Sequence, residues 1–141
     1  MRGGDLDDRI PPRLMFVFED CVATRGKKRP LLNPKRSAEL RHWTPNPTVT
    51  KRMWDIVQRH DFRIDMLTLL GPEWEDDLHH WVDKHDLPVS HVFATDAEGL
   101  PDLLNARVHT QRVYFGSPDH SFFFGHRGHQ IPTDRDWEPL A

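Results

Sequence analysis

The stretch "RLMFVFEDCVAT", Arg13 to Thr24, decides how this chain is interpreted. Its unbroken apolar run, Leu14 to Phe18, is typical of a strand that is buried on both faces, as in the middle of a parallel sheet. The run ends abruptly in two carboxylates, Glu19 and Asp20. Because ligands of parallel α/β sheets bind at the carboxyl ends of the strands, the pattern predicts a candidate site at this point.

Length and composition indicate a soluble globular protein. The 141 residues fit a single domain, 1–141, that can bury a substantial core, and the 37% of hydrophobic residues argue against disorder. The single cysteine excludes an internal disulfide, and the sequence shows neither a signal peptide nor an apolar span of about 18 residues. We therefore expect a cytoplasmic protein with no membrane partner.

Helical and strand patterns alternate along the rest of the chain. Helical spacing of apolar residues marks "NPTVTKRMWDIVQRHDF" and "PEWEDDLHHWVDKHDLP", and a shorter helix is expected in "DAEGLPDLLNARV". Strands are expected in "FRIDMLTLLG", "VSHVFATD" and "TQRVYFG", with "SFFFGHRG" as a hairpin partner. This order predicts an α/β fold: a mostly parallel sheet with helices on both faces and a C-terminal hairpin. Residues 24–46 are expected to form a basic flap and 132–141 a tail.

The order and spacing of these elements, from Arg13 to Gly128, resemble the haloacid dehalogenase-like (HAD-like) hydrolase superfamily. The resemblance implies a three-layer Rossmann-like fold without a separate cap domain, in a superfamily of mostly magnesium-dependent phosphatases. Its first motif is an apolar strand followed by Asp-x-Asp-Gly, in which the first Asp is the nucleophile and the second transfers the proton. In "FVFEDCVA" the nucleophile position is Phe18, the second Asp is Asp20, and the Gly position is Cys21.

The later motifs are matched in part. Thr68 resembles the Ser or Thr that binds the phosphoryl group, whereas Gly116 stands where a metal-binding acid is expected and Asp119 follows three residues on. For the basic residue of the third motif, Arg107 and Lys84 are both candidates. Phe18 and Gly116 can supply neither a nucleophile nor the hard oxygen ligands that Mg²⁺ requires.

Two functions follow from the resemblance. The first is a phosphatase-like protein, small enough to suit a phage, that has lost catalysis, needs no cofactor, and binds a protein or a phosphorylated ligand at the strand ends. The second is a diverged Mg²⁺-dependent phosphatase or nucleotidase. Its catalytic residues would be Asp20 or Glu19, its substrate-binding residues Thr68, Lys27, Lys28 and Arg29, and its weak metal candidates Asp20 and Asp119. Glu19 needs a register shift or bulge for this role, because neighbouring strand residues point to opposite faces.

Three further patterns allow other interpretations. Residues 25–52 carry nine Lys or Arg against one acid, so they could bind phosphate or nucleic acid with Trp43 and His42 stacking on bases, or be a solvated loop. Three histidines near Asp119 could bind a transition metal or simply lie on the surface: His120, His126 and His129. Cys21 followed by Lys27 is similar to a cysteine phosphatase loop, which has Arg at the second place, although a half-buried strand-end cysteine is the simpler interpretation.

Overall fold

The computed structural model describes residues 13–25, 40, 42–107, 110–117, 120 and 128–130. In this part of the chain the strands are β1 (Arg13–Val17), β2 (Ala23–Arg25), β3 (Trp43–Pro45), β4 (Arg63–Thr68), β5 (His91–Ala94), β6 (Thr110–Phe115) and β7 (Gly128–Gln130). The helices are α1 (Pro47–Arg59), α2 (Glu75–Lys84) and α3 (Leu100–Ala106), and a short 3₁₀ turn, Pro72–Trp74, precedes α2.

The main sheet has five strands in the order β5-β4-β1-β6-β7, and every neighbouring pair is parallel. Helices α1, α2 and α3 lie between successive strands of this sheet along the chain. The predicted α/β class is therefore confirmed at the level of a Rossmann-like parallel sheet flanked by helices. None of the helices in the described ranges is long and apolar enough to cross a membrane.

The local sequence explains where the elements begin. Strand β1 lies in the middle of the sheet, and its apolar residues Leu14–Val17 are fully buried, as expected for a strand covered on both faces. Helix α1 starts at Pro47 because the side chain of Asn46 accepts a hydrogen bond from Thr48 N at 3.1 Å. Three acids occupy the first turn of α2, where the helix dipole favours negative charge: Glu75, Asp76 and Asp77.

The predicted C-terminal hairpin is not seen among the described residues. The strand that pairs with the outer side of β6 is β7, and it runs parallel to β6, with Tyr114 opposite His129. A parallel pair needs a connection of about a dozen residues rather than a tight turn, and the segment 116–127 provides that length. The aromatic run of "SFFFG" lies outside the described residues, so its place in the fold stays a prediction.

The expected flap, residues 24–46, is anchored at both ends by structure that the sequence pattern did not indicate. Strands β2 and β3 pair in antiparallel fashion, with Thr24 opposite Thr44. Trp43 is buried, so the prediction that its ring is available to stack on nucleic acid bases is wrong, whereas His42 is exposed. The basic residues Lys27, Lys28 and Arg29 lie outside the described residues.

Candidate functional site

The carboxyl ends of the central strands form the candidate site. The chain runs from β1 through β4 to β5 on one side, and then crosses back to β6 and β7 on the other side. The strand order therefore reverses between β1 and β6, which is where open parallel sheets bind ligands. Four residues predicted to meet here lie at the carboxyl ends of four neighbouring strands, as the sequence predicts: Phe18, Thr68, Thr95 and Gly116. Backbone hydrogen bonds join Phe18 N to Leu67 O at 2.7 Å and Thr95 N to Thr68 O at 3.0 Å.

Glu19 faces this edge, contrary to the expectation that its carboxylate would turn away. Strand β1 ends at Val17, so the alternation of strand faces no longer holds at Glu19. Thr68 Oγ1 donates a hydrogen bond to Glu19 Oε1 at 2.9 Å, and Leu69 N donates to Glu19 Oε2 at 2.9 Å. The structure thus brings together two of the predicted site residues, Glu19 and Thr68.

The carboxylate of Glu19 is almost completely removed from water. The residue is 6% exposed, and in the part of the chain that the structure describes no cationic side chain lies within ion-pair distance of it. Burial raises the pKa of Glu19 from its ordinary value of 4.5 to about 7, although the hydrogen bonds from Leu69 and Thr68 act in the opposite direction. The desolvation cost therefore outweighs two good hydrogen bonds.

The hydroxyl of Thr68 is fully used inside the protein. It donates to Glu19, and it accepts a hydrogen bond from Leu70 N at 3.1 Å. Thr68 itself is completely buried. A phosphoryl group could reach this hydroxyl only after the side chain of Glu19 had moved.

Phe18 lies in an aromatic cluster rather than in an open site. Its fully buried ring packs against Trp43, with ring centroids 5.1 Å apart, and edge-on against Trp81 at 4.9 Å. Trp81 Nε1 donates to Trp43 O at 3.2 Å, which ties α2 to β3. The helical spacing of apolar residues in α2 accounts for the burial of Trp81, but it does not indicate that Trp81 packs against Phe18. Contact across elements so distant in the chain leaves no local sequence signal.

The crevice between β1 and β6 is filled by the turn after β1. A Cβ atom at Gly116 would overlap the backbone oxygen of Asp20, so only glycine fits there unless the turn shifts. Cys21 Sγ donates to Tyr114 O at 3.7 Å and lies against the same strand. Burial raises the pKa of this thiol far above neutrality, so Cys21 is not the reactive thiolate that a cysteine phosphatase requires.

Asp20 differs from Glu19 in exposure and in backbone conformation. It is exposed and has a φ of 61°, in the left-handed region that Asp tolerates better than most residues. In the described part of the chain, no three His, Cys, Asp or Glu side chains lie together in a way that could hold a metal ion. Gly116 has no side-chain oxygen to offer a metal, and both carboxylate oxygens of Glu19 already accept hydrogen bonds. The described residues therefore do not fit the implied Mg²⁺ site. Asp119 lies outside the described residues.

The remaining candidates lie away from this edge or outside the described residues. Arg107 follows the end of α3, its backbone oxygen accepts from Thr110 N at the start of β6, and its guanidinium lies 4.2 Å from the centre of the Phe93 ring. Its backbone therefore lies at the amino end of β6, whereas its guanidinium packs on β5. Lys84 is exposed in the last turn of α2. The side chains of His126 and His129 are not among those described.

A cavity of about 530 Å³ lies elsewhere, at the amino end of β4 and β5. Its lining includes Trp54, Val57, Phe62, Arg63 and Leu87, and none of Glu19, Thr68 and Gly116 contributes to it. The expected strand-end site and this cavity are therefore separate places.

Comparisons with family models, with curated proteins and with solved structures find no match to this chain. The likeness to the HAD-like superfamily stays a hypothesis that the sequence motifs carry.

Proposed function

We propose that this protein is a phosphatase-like α/β protein of the three-layer HAD-like type that no longer transfers phosphoryl groups, and that it acts as a binding protein through the carboxyl edge of its sheet. The observation that carries the proposal is the environment of Phe18. Where the resemblance requires a nucleophilic carboxylate, a fully buried ring packs between Trp43 and Trp81. An aromatic ring cannot attack phosphorus, and its surroundings are too apolar for an exchange to Asp to be tolerated.

Two neighbouring features support the loss of catalysis. The hydroxyl of Thr68 is committed to Glu19 and Leu70. Gly116 contributes no ligand, and the turn at Asp20 occupies the space that a side chain there would need. Catalysis would require different residues at all three places, whereas binding at this edge requires no different residue at any of them.

The partner that suits this edge is a protein or a phosphorylated ligand. Asp20 is exposed at this edge, and the basic residues Lys27, Lys28 and Arg29 follow β2 directly in the sequence. Contacts of exposed charges are screened beyond about 8 Å at physiological ionic strength, so binding through the flap should weaken as salt is added.

A hydrolysis assay tests the proposal. The purified protein is incubated with p-nitrophenyl phosphate and Mg²⁺, and the release of nitrophenol is compared with that of the Asp20→Asn and Glu19→Gln variants. We expect all three proteins to match the rate without protein. Mg²⁺-dependent turnover by the unmodified protein that Asp20→Asn abolishes would refute the proposal and show that the motif is active.

One observation favours the second function, a diverged phosphatase. Glu19 reaches the strand-end edge, contacts Thr68, and has a pKa near 7, which suits a general acid or base at neutral pH. Against it, the carboxylate is buried and both of its oxygens are hydrogen-bonded. In the same assay, turnover that is lost in Glu19→Gln but retained in Asp20→Asn would support this function instead.

A further inference from the structure

The end of β4 has the features of an oxyanion site. The hydroxyl of Thr68 and the backbone N–H of Leu69 point at the two oxygens of one carboxylate, each at 2.9 Å. Convergent donors of this kind, a hydroxyl beside a backbone amide, are the groups with which proteins bind carboxylate and phosphate oxygens. We call these two donors the oxyanion pair.

We propose that Glu19 is an internal competitor that occupies the oxyanion pair, and that an oxyanion of a ligand binds there only by displacing it. The inference rests on the proposed binding role of this edge and specifies its ligand class. The ligand would present a carboxylate or a phosphate, because both chemistries fit the same two donors.

The hold on Glu19 comes from neutral donors alone. Among the described residues no cation compensates its charge, and the nearby Asp20 carries charge of the same sign. A buried carboxylate without a counter-charge is costly. Releasing Glu19 into water recovers its hydration and breaks no ion pair, which offsets the desolvation of the oxyanion that replaces it.

Displacement does not require the turn to unfold. The backbone on either side of Glu19 is fixed by other hydrogen bonds, from Val22 N to Val17 O at 3.1 Å and from Ala23 N to Phe18 O at 2.9 Å. The proposed displacement is therefore a rotation about the side-chain bonds of Glu19, with these backbone hydrogen bonds kept. Because a tethered carboxylate competes at a high effective concentration, free anions should bind the unmodified protein only weakly.

The test removes the internal competitor and offers small anions in its place. The variants are Glu19→Ala, which vacates the space of an acetate ion, Glu19→Gln, which fills it with a neutral amide, and the double variant Glu19→Ala with Thr68→Val. Thermal unfolding midpoints are measured at pH 8 and constant ionic strength while chloride is replaced by acetate or by inorganic phosphate.

We expect acetate or phosphate to raise the midpoint of Glu19→Ala by about 3 °C or more, since a ligand that binds only the folded state stabilises it. Whichever anion raises the midpoint shows whether the natural ligand presents a carboxylate or a phosphate. The unmodified protein should need at least roughly tenfold more anion for the same rise, because its own carboxylate competes. The Gln variant and the double variant should not respond.

Several results would overturn the inference. The first is that neither anion raises the midpoint of Glu19→Ala. The second is that the Gln variant responds as strongly as Glu19→Ala. The third is that the double variant responds as strongly, which would mean that the anion binds elsewhere, such as on residues 25–52. If Glu19→Ala does not fold in chloride, its refolding yield in acetate or phosphate is scored by the same criteria. The hydrolysis assay is independent of these results, so failure of the proposed function and failure of this inference are distinguishable.

Discussion

The two ends of the main sheet each bury a carboxylate, and they compensate its charge in different ways. At the amino end, Arg13 Nε and Nη2 donate to the two oxygens of Asp65 at 2.8 and 2.6 Å, and the side chain of Asp65 is 0% exposed. At the carboxyl end, Glu19 is held by the hydroxyl of Thr68 and the amide of Leu69, which are both neutral.

The difference in partners indicates that the charge of Asp65 is structural, whereas that of Glu19 is a candidate for function. The planar guanidinium of Arg13 binds the carboxylate of Asp65 through two parallel hydrogen bonds and so fixes β1 against β4. A ligand anion would have to break this ion pair to bind there. A carboxylate held by neutral donors instead keeps a raised pKa and can be exchanged for another oxyanion. The predictions below test this contrast, from the largest expected effect to the smallest.

Removing the cation at the amino end should have the largest effect. Replacing Arg13 by Met leaves Asp65 buried without a partner, which typically costs about 3–5 kcal/mol of unfolding free energy. Urea unfolding monitored by tryptophan fluorescence measures the change. The matched control is Arg63→Met, which alters the exposed neighbour of Arg13 across the strands and should change stability by less than about 0.5 kcal/mol. Equal effects of the two substitutions would show that the pair does not matter.

At the carboxyl end, stability should depend on pH through Glu19. Its folded pKa of about 7 lies above the ordinary 4.5, so between these values the folded state binds more protons than the unfolded state. The contribution of this group to the unfolding free energy is therefore largest below pH 4.5 and falls as the pH rises to about 7. The loss is on the order of 3 kcal/mol, at about 1.36 kcal/mol for each pH unit of pKa difference.

The Glu19→Gln variant isolates this contribution from those of the other titratable groups. The difference in unfolding free energy between the unmodified protein and the variant should shrink or change sign from pH 4.5 to 7 and stay constant above it. Asp20→Asn, at the exposed neighbour, should leave the profile unchanged. Parallel profiles for Glu19→Gln and the unmodified protein would mean that Glu19 is not buried as a carboxylate.

Gly116 should tolerate no side chain. Replacing it by Ala drives a methyl group against the backbone oxygen of Asp20, so the turn that carries Glu19 must shift, at a cost of about 1–3 kcal/mol. The loss should appear in urea unfolding together with a change in the amide NMR signal of Leu69. For the same reason, Asp at both Phe18 and Gly116 should not restore phosphatase activity. A fully stable Gly116→Ala protein would show that the crevice between β1 and β6 is open.

The smallest effect is expected at Asp20 itself. Asn also tolerates a left-handed φ of 61°, and the side chain is exposed, so Asp20→Asn should change the unfolding free energy by less than about 0.5 kcal/mol. A loss of more than about 1 kcal/mol would indicate that the side chain has an interior partner.

The sequence was sufficient for much of the fold, because its signals there are local. The apolar run of β1, the stripe Trp74, Leu78, Trp81 and Val82, and the cap at Asn46 each follow from residues close together in the chain. It was not sufficient where the outcome depends on where a strand stops. The residue at which β1 ends decides whether Glu19 faces Thr68, and a shift of one residue would turn it away. Whether the strand beside β6 is parallel or forms a hairpin depends on pairing between residues far apart in the chain.

The most direct test of the central claim is the NMR titration of the Glu19 side-chain carboxyl carbon, with and without millimolar Mg²⁺. We expect an apparent pKa near 7 that Mg²⁺ leaves unchanged, because the carboxylate is buried and both of its oxygens accept hydrogen bonds from Thr68 and Leu69. A bound divalent cation would favour the ionised form and lower the pKa. A fall of about one unit or more on adding Mg²⁺ would contradict the account and identify Glu19 as part of a working metal site.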